Sequence, residues 1–356
     1  MKKIRLLGAA LAATLMLAAC GGGDDDKNSS PYSRLVIFGD SLSDVGTHAT
    51  QGVVLGTAGG KYTVNGLGVK IWPELLADTL GVPAPCAARV GLESDPAGPF
   101  ARLGQTPVSV PNCYDYAQGG SRVTDPIGTW NKALLLLTPP NPTGYLGQLT
   151  EPAVTQVANH LAKVTTFSDT DLVTVMFGGN DVFMNLAAVS AGAMAPADAV
   201  AAMGLAGAQL AGLVKGQMLA KGARRVVVLN LPAFEVTPFF LEKDAATQGL
   251  VTAMTQTFNA QLAAGLAGTD DTVLQVDAYS LVKAFHDDPA KYGLSNFTDR
   301  ACDPAKAVAA LICSAATTVA GDVSHYAFAD DVHPTPYAHS LIEQLVVDAL
   351  VAKGWR

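Results

Sequence analysis

The sequence predicts an α/β fold in which helices cover both faces of a parallel sheet. Short apolar runs and longer helix-forming stretches alternate along the 356 residues. Two of the runs have unbroken β-branched cores, Val173 with Val175 and Val226-Val227-Val228, as expected of strands buried on both sides. Strand–helix alternation then implies parallel strands joined by helical crossovers. The strands are expected at Leu35–Phe38, a short one near Tyr114–Ala117, Leu172–Phe177, Arg225–Leu231 and Val273–Asp277. The helices are expected near Trp72–Leu80, Glu151–Val164, Ala195–Lys221, Leu241–Gly268 and Pro334–Lys353, the last with a proline at its first position.

The chain divides into residues 1–19, 20–33 and 34–356, the last reading as one domain with no internal linker or repeat. Lys2, Lys3 and Arg5 followed by apolar Leu6–Ala19 form a targeting segment too short to span a bilayer comfortably. It ends Leu17-Ala18-Ala19-Cys20, which resembles a bacterial lipoprotein box and implies a lipidated Cys20 after cleavage. An ordinary secretory signal is the alternative. Gly21 to Ser30 supplies the flexible polar tether of such anchors, and Gly21 in place of aspartate implies outer-membrane attachment. Removing residues 1–19 takes the formal charge from −8 to −11, because three basic residues leave and all 31 acidic ones stay. An acidic surface argues against nucleic acid as a partner.

Setting Cys20 aside leaves Cys86, Cys113, Cys302 and Cys313, an even number for an oxidising compartment. Of three pairings, Cys86–Cys113 and Cys302–Cys313 are favoured, since each brackets one loop-rich insertion; free buried thiols are the alternative. No pair has the close spacing of a zinc site, and no metal is expected. Walker and dinucleotide fingerprints do not occur. Val45–Pro111 and Val123–Thr150 are rich in Gly, Pro, Thr and Asn and too long for ordinary connections. With Asp287–Ser324, they are expected to wall a substrate pocket.

Four short blocks carry the chemistry. Phe38-Gly39-Asp40-Ser41-Leu42-Ser43-Asp44 follows the first strand and puts Ser41 just past its carboxyl end, where parallel sheets bind ligands. Tyr116-Ala117-Gln118-Gly119-Gly120 and Gly178-Gly179-Asn180-Asp181 come next, and Asp330-Asp331-Val332-His333-Pro334 lies near the C-terminus. A serine hydroxyl needs a base to take its proton, and the base needs an acid to hold its ring. In this order the blocks resemble the SGNH/GDSL hydrolase family. Further matches are Gly222-Ala223-Arg224 leading to Leu231-Pro232 and Thr237-Pro238, and Tyr292-Gly293 ahead of Cys302; together they span roughly residues 34–352.

The resemblance implies a three-layer α/β/α sandwich around five parallel strands, flavodoxin-like. It implies Ser41 as nucleophile, His333 as general base and Asp330 as its orienting acid, with Asp331 as the neighbouring competitor. It implies an oxyanion hole from the backbone N–H groups of Ser41 and Gly120 and the side-chain amide of Asn180. Asp115 stands where the family has asparagine, which leaves Gly119 as an alternative to Gly120. Ser121 is the rival nucleophile, although Gly119-Gly120-Ser121-Arg122-Val123 lacks the final glycine of the G-x-S-x-G elbow. His48, His160, His286, His325 and His339 match no motif and read as surface or loop residues.

The implied function is hydrolysis of carboxylic esters, with a lipase- or phospholipase-like substrate range and no cofactor. Acyl transfer, or carbohydrate or polyester deacylation, would use the same site. A catalytically silent surface-binding lipoprotein is the reading from a different class.

Overall fold

The computed structural model describes residues 30–356; the expected signal segment, lipidation at Cys20 and most of the tether lie outside the described residues. The strands are β1 (Arg34–Gly39), β2 (Arg89–Leu92), β3 (Gln105–Ser109), β4 (Asp171–Met176), β5 (Val226–Leu229), β6 (Val273–Val276), β7 (Asn296–Arg300) and β8 (Tyr326–Phe328). The helices are α1 (Gln51–Thr57), α2 (Trp72–Leu80), α3 (Ala153–Val164), α4 (Gly179–Ser190), α5 (Pro196–Leu213), α6 (Pro238–Leu241), α7 (Ala245–Gly265), α8 (Ala278–Asp287) and α9 (Pro336–Lys353).

The main sheet runs β1-β4-β5-β6, all parallel, in the register Val36 to Val173, Val173 to Val226 and Val226 to Val273. Side chains alternate between faces, as the pleat requires. Leu35, Ile37, Leu172, Met176, Val227 and Leu229 pack with Trp72 and Leu76 of α2 and Ile342, Val346 and Leu350 of α9. Val36, Phe38, Val173, Val175, Val226 and Val228 pack on the other side with Val157 of α3, Met203 and Leu210 of α5 and Phe258 and Leu262 of α7. These are the three layers. Each fully buried Val, Leu, Ile or Phe among them contributes about 1.5–3 kcal/mol.

The strand count differs from expectation. Residues 114–118 run parallel beside β1, with Ile37 N–H donating to Tyr114 O (3.0 Å), Tyr116 N–H to Ile37 O (2.8 Å) and Gln118 N–H to Gly39 O (3.1 Å). They do not form a regular fifth strand. The next rung would need Gly39 N–H, which donates instead to Gln156 Oε1 (3.1 Å). Counted as a partner of β1, this segment lies outside β1 while β4, β5 and β6 lie on the other side. The path therefore reverses between β1 and β4, the position where open α/β sheets bind ligands.

The expected helices form, with α2 at its expected bounds and α9 two residues late because Thr335 Oγ1 caps it by accepting from Ala338 N–H (3.2 Å). Pro196–Lys221 is long and apolar enough to cross a membrane by length and composition, yet it packs as a core helix against α7. The insertions add two small two-stranded sheets, β2-β3 and β7-β8. The disulfides join Cys86 to Cys113 and Cys302 to Cys313, the favoured pairing.

Candidate active site

β1 delivers Ser41 into a tight turn. Asp40 closes that turn twice, its Oδ1 accepting from Leu42 N–H (3.1 Å) and its carbonyl from Ser43 N–H (3.1 Å). Glycine is required at 39, since a Cβ there would sit 2.9 Å from Ser43 Cβ and 3.2 Å from Met176 O. The turn directs the Ser41 hydroxyl at the loop before α9. His333 Nε2 lies 2.8 Å from Ser41 Oγ, across a separation of 292 residues.

Asp330 is built into the same loop as His333. Its Oδ1 accepts from the backbone N–H groups of Val332 (3.1 Å) and His333 (2.9 Å), and its Oδ2 from Ala310 N–H (2.8 Å). The two oxygens lie 2.8 and 2.9 Å from His333 Nδ1. Burial pushes the Asp330 carboxyl up, but the imidazole beside it and these donors outweigh burial and hold it down at about 2. Burial pulls the His333 imidazole down, yet Asp330, then Asp40 and Asp331, raise it above its ordinary value. With Nδ1–H committed to Asp330, Nε2 faces Ser41 as the acceptor.

Around Ser41 three donors converge on one cavity. The backbone N–H groups of Ser41 and Gly120 have no protein acceptor among the described residues. Gly119 N–H, by contrast, donates to Asp44 Oδ2 (3.0 Å), which distinguishes the two glycines. Gly120 has φ +86°, and a Cβ on it would lie 2.4 Å from Thr129 O. Asn180, in the first turn of α4, donates from Nδ2 to Ser121 O (3.0 Å), and its Oδ1 accepts from Thr129 Oγ1 (2.6 Å). One Nδ2 hydrogen is thereby left over. Asp115 is fully buried and structural, accepting from Val45 N–H (2.8 Å) and Ala117 N–H (2.9 Å).

The competitors are engaged with other partners. Asp331 pairs with Arg300. Ser121 is fully buried and its Oγ accepts from Gln156 Nε2 (3.3 Å). The reading of the five other histidines as surface or loop residues is corrected for His160 in α3 and His339 in α9; His48 does lie in a loop, and all three are fully buried. His48 Nε2 accepts from Leu149 N–H (3.1 Å) and its Nδ1 faces Tyr62 Oη (2.9 Å), so a polar network satisfies it. His160 is stacked on Phe167 at 4.5 Å, with burial pulling it down to about 4, and His339 turns inward from α9 with burial pulling it down to about 3. Only His286 and His325 are exposed among those five. Two residues beside the cavity carry no motif signal: Thr129 sits inside an insertion, and Tyr62 packs its ring on His333 at 5.1 Å.

The cavity has a volume of about 330 Å³ and includes Ser41, Gly120, Asn180, Asp330 and His333 in its lining. All three insertion regions reach it, through Tyr62, Trp130 and Val308. From α4 it takes Asn180, Phe183, Met184 and Ala187, one face of the helix, and Phe234 and Phe239 extend that apolar wall.

Residues 35–346 match the family model described as GDSL-like Lipase/Acylhydrolase. A Pseudomonas putida protein named only as an uncharacterized protein in the trpE-trpG intergenic region is 26% identical over 329 residues, 91% of this chain and 49% of that protein. A GDSL esterase/lipase of Arabidopsis thaliana is 28% identical over 133 residues (35% of this chain, 36% of that one). A second from the same plant is 25% identical over 140 residues (36% and 39%). The chain thus spans at most about half the length of these relatives.

Proposed function

The chain belongs to the GDSL-like lipase/acylhydrolase family, hydrolases of ester bonds, and from that premise we propose that it is a serine esterase working through Ser41, His333 and Asp330. The observation that carries this reading is the 2.8 Å separation of His333 Nε2 and Ser41 Oγ, with Asp330 on the far side of the same ring. Ser41 Oγ attacks the ester carbonyl while His333 takes its proton. The oxyanion that develops receives the N–H groups of Ser41 and Gly120 and the remaining Nδ2 hydrogen of Asn180. Collapse expels the alcohol, which takes the proton back from His333, and leaves an acyl-Ser41. Water, deprotonated by the same imidazole, releases the acid. Asp330 stays ionised throughout, compensating the imidazolium.

The acyl side of the substrate is assigned to the wall of α4. From Asn180 to Ala187 the helix rises about 10 Å at about 1.5 Å per residue. That length suits a chain of about eight carbons, each advancing about 1.25 Å with C–C bonds of about 1.5 Å. Phe183, Met184, Phe234 and Phe239 favour a lipid-like acyl group over acetyl. The test is turnover of p-nitrophenyl esters from acetyl to palmitoyl, with Ser41→Ala as control. A medium-chain optimum abolished by Ser41→Ala is expected; turnover unchanged in Ser41→Ala would refute the nucleophile.

The proposal extends to an exported protein anchored through lipid on Cys20, supported by the Leu17–Cys20 box and the polar stretch after it. Cys20→Ala should move the protein from the membrane fraction to the soluble fraction, and unchanged fractionation would count against the anchor.

A further inference from the structure

We propose that Thr129, from the insertion between residues 123 and 150, is a positioning residue that sets the plane of the Asn180 amide and so aims its free N–H at the oxyanion. The inference rests on the reading of Asn180 as an oxyanion donor and adds to it the group that orients that donor. A carboxamide has two donor hydrogens and one acceptor oxygen on a rigid plane. Here the oxygen accepts from Thr129 Oγ1 at 2.6 Å and one hydrogen goes to Ser121 O at 3.0 Å. These contacts grip opposite ends of the plane. Ser121 O fixes which end carries the nitrogen, because a reversed amide would set two acceptors face to face. Thr129 removes the remaining rotation, and the second Nδ2 hydrogen is then directed by geometry alone.

Thr129 is itself held firmly. A Cβ on Gly128 would lie 1.7 Å from Gly120 O, and a Cβ on Gly120 would lie 2.4 Å from Thr129 O. The backbone of Gly128 and Thr129 therefore lies flush against Gly120, the other distant donor. Thr150 Oγ1 ties the surrounding loop together by donating to Pro126 O (2.8 Å) and accepting from Asn131 Nδ2 (2.7 Å). One short stretch of an insertion thus abuts both Gly120 and Asn180, although neither Gly128 nor Thr129 belongs to any of the four motif blocks. Asn180 is 7% exposed, so water cannot freely take over the role of the hydroxyl. An amide oxygen left unpaired there would turn to find a donor.

The experiment is a double-mutant cycle on the purified full-length chain with a p-nitrophenyl ester, reading kcat and KM separately. Thr129→Val should lower kcat about tenfold with KM changed less than about twofold, the pattern of an interaction made only in the transition state. Thr129→Ser, which keeps the hydroxyl, should retain near-full turnover. In an Asn180→Ala background Thr129→Val should cost less than about twofold more, since nothing remains to be oriented. A loss from Thr129→Val of equal size in both backgrounds would overturn the proposal and make Thr129 merely structural. Steep loss in Asn180→Ala with undiminished kcat in Thr129→Val would also overturn it, leaving the oxyanion reading intact. Full turnover in Asn180→Ala would remove that reading and this proposal with it.

Discussion

Gln156 holds both polar groups of the Gly39 residue, accepting from its N–H at 3.1 Å and donating to its C=O at 2.9 Å. The side chain comes from α3, is fully buried, and replaces the rung that residues 114–118 would otherwise supply. It anchors the last residue of β1 to a helix, two residues before Ser41.

Gln156→Leu, close in volume, should therefore destabilise strongly. It leaves Gly39 N–H buried without an acceptor and removes donors from Ser121 Oγ and Glu151 O. The expected loss is about 2–4 kcal/mol, from unpaired buried groups at about 1–3 kcal/mol each. Urea denaturation should give a lower midpoint at unchanged slope.

The acid limb of kcat/KM should fall above the ordinary histidine value. The reaction needs neutral His333, and a raised imidazole stays protonated to higher pH, so activity is lost earlier as pH falls. Asp330, held at about 2, remains ionised across that range. Asp330→Asn should shift the limb downward and reduce kcat by about 10³–10⁴, because an amide cannot hold the required tautomer. Asp331→Asn, altering a group already paired with Arg300, should move the limb little. A pH profile of the three proteins checks both statements.

Asp40 gives a pH effect on stability of opposite sign to the usual carboxylate. Burial pushes its carboxyl up to about 7, against the Leu42 N–H and His333, which favour ionisation. Between about 4, the unfolded value, and about 7 the native state binds more protons than the unfolded one, so stability falls as pH rises through that window. Asp40→Asn should thus gain on the wild type from pH 4 to pH 8, by on the order of 4 kcal/mol, three pKa units at about 1.4 kcal/mol each. Thermal melts at the two pH values measure the difference.

Ala187→Trp should shorten the accepted acyl group. Ala187 lies two turns beyond Asn180 on the cavity side of α4, and an indole there fills the far end of the wall. Turnover of octanoyl and longer esters should fall about tenfold or more while acetyl turnover stays within about twofold, loss of a few buried methylenes being worth about 1–3 kcal/mol.

The layers were legible because period and punctuation agree: Val173, Val175 and Val226–Val228 are too apolar for anything but covered strands, and Trp72–Leu80 appears at its expected bounds. The segment 114–118 misled because one of its inner rungs, that of Gly39 N–H, is lost to a side chain 38 residues beyond it, at Gln156. Helix α4 is not among the expected helices, since Gly178-Gly179-Asn180-Asp181 reads locally as a loop or a helix cap; Val182 and Phe183 pack its first turns into the core. The residues that the fold gathers around one cavity, Ser41, Gly120, Asn180, Asp330 and His333, were each named from their ordered blocks. Thr129 and Tyr62 were not, because each acts on a partner distant in sequence and neither stands in a recognisable pattern. Buried His160 and His339 were misread for the same reason: their surroundings come from tertiary packing.

Ser41, Gly120 and Asn180 all lie before residue 181, whereas Asp330 and His333 share one loop just ahead of the final helix. Translation runs from the N-terminus, so the Ser41 hydroxyl emerges long before the His333 imidazole that lies 2.8 Å from it in the fold. A chain that ends before residue 330 therefore holds Ser41 without its partner imidazole. The contact is completed only when α9 docks against α2 and brings the loop before it to rest beside the turn after β1.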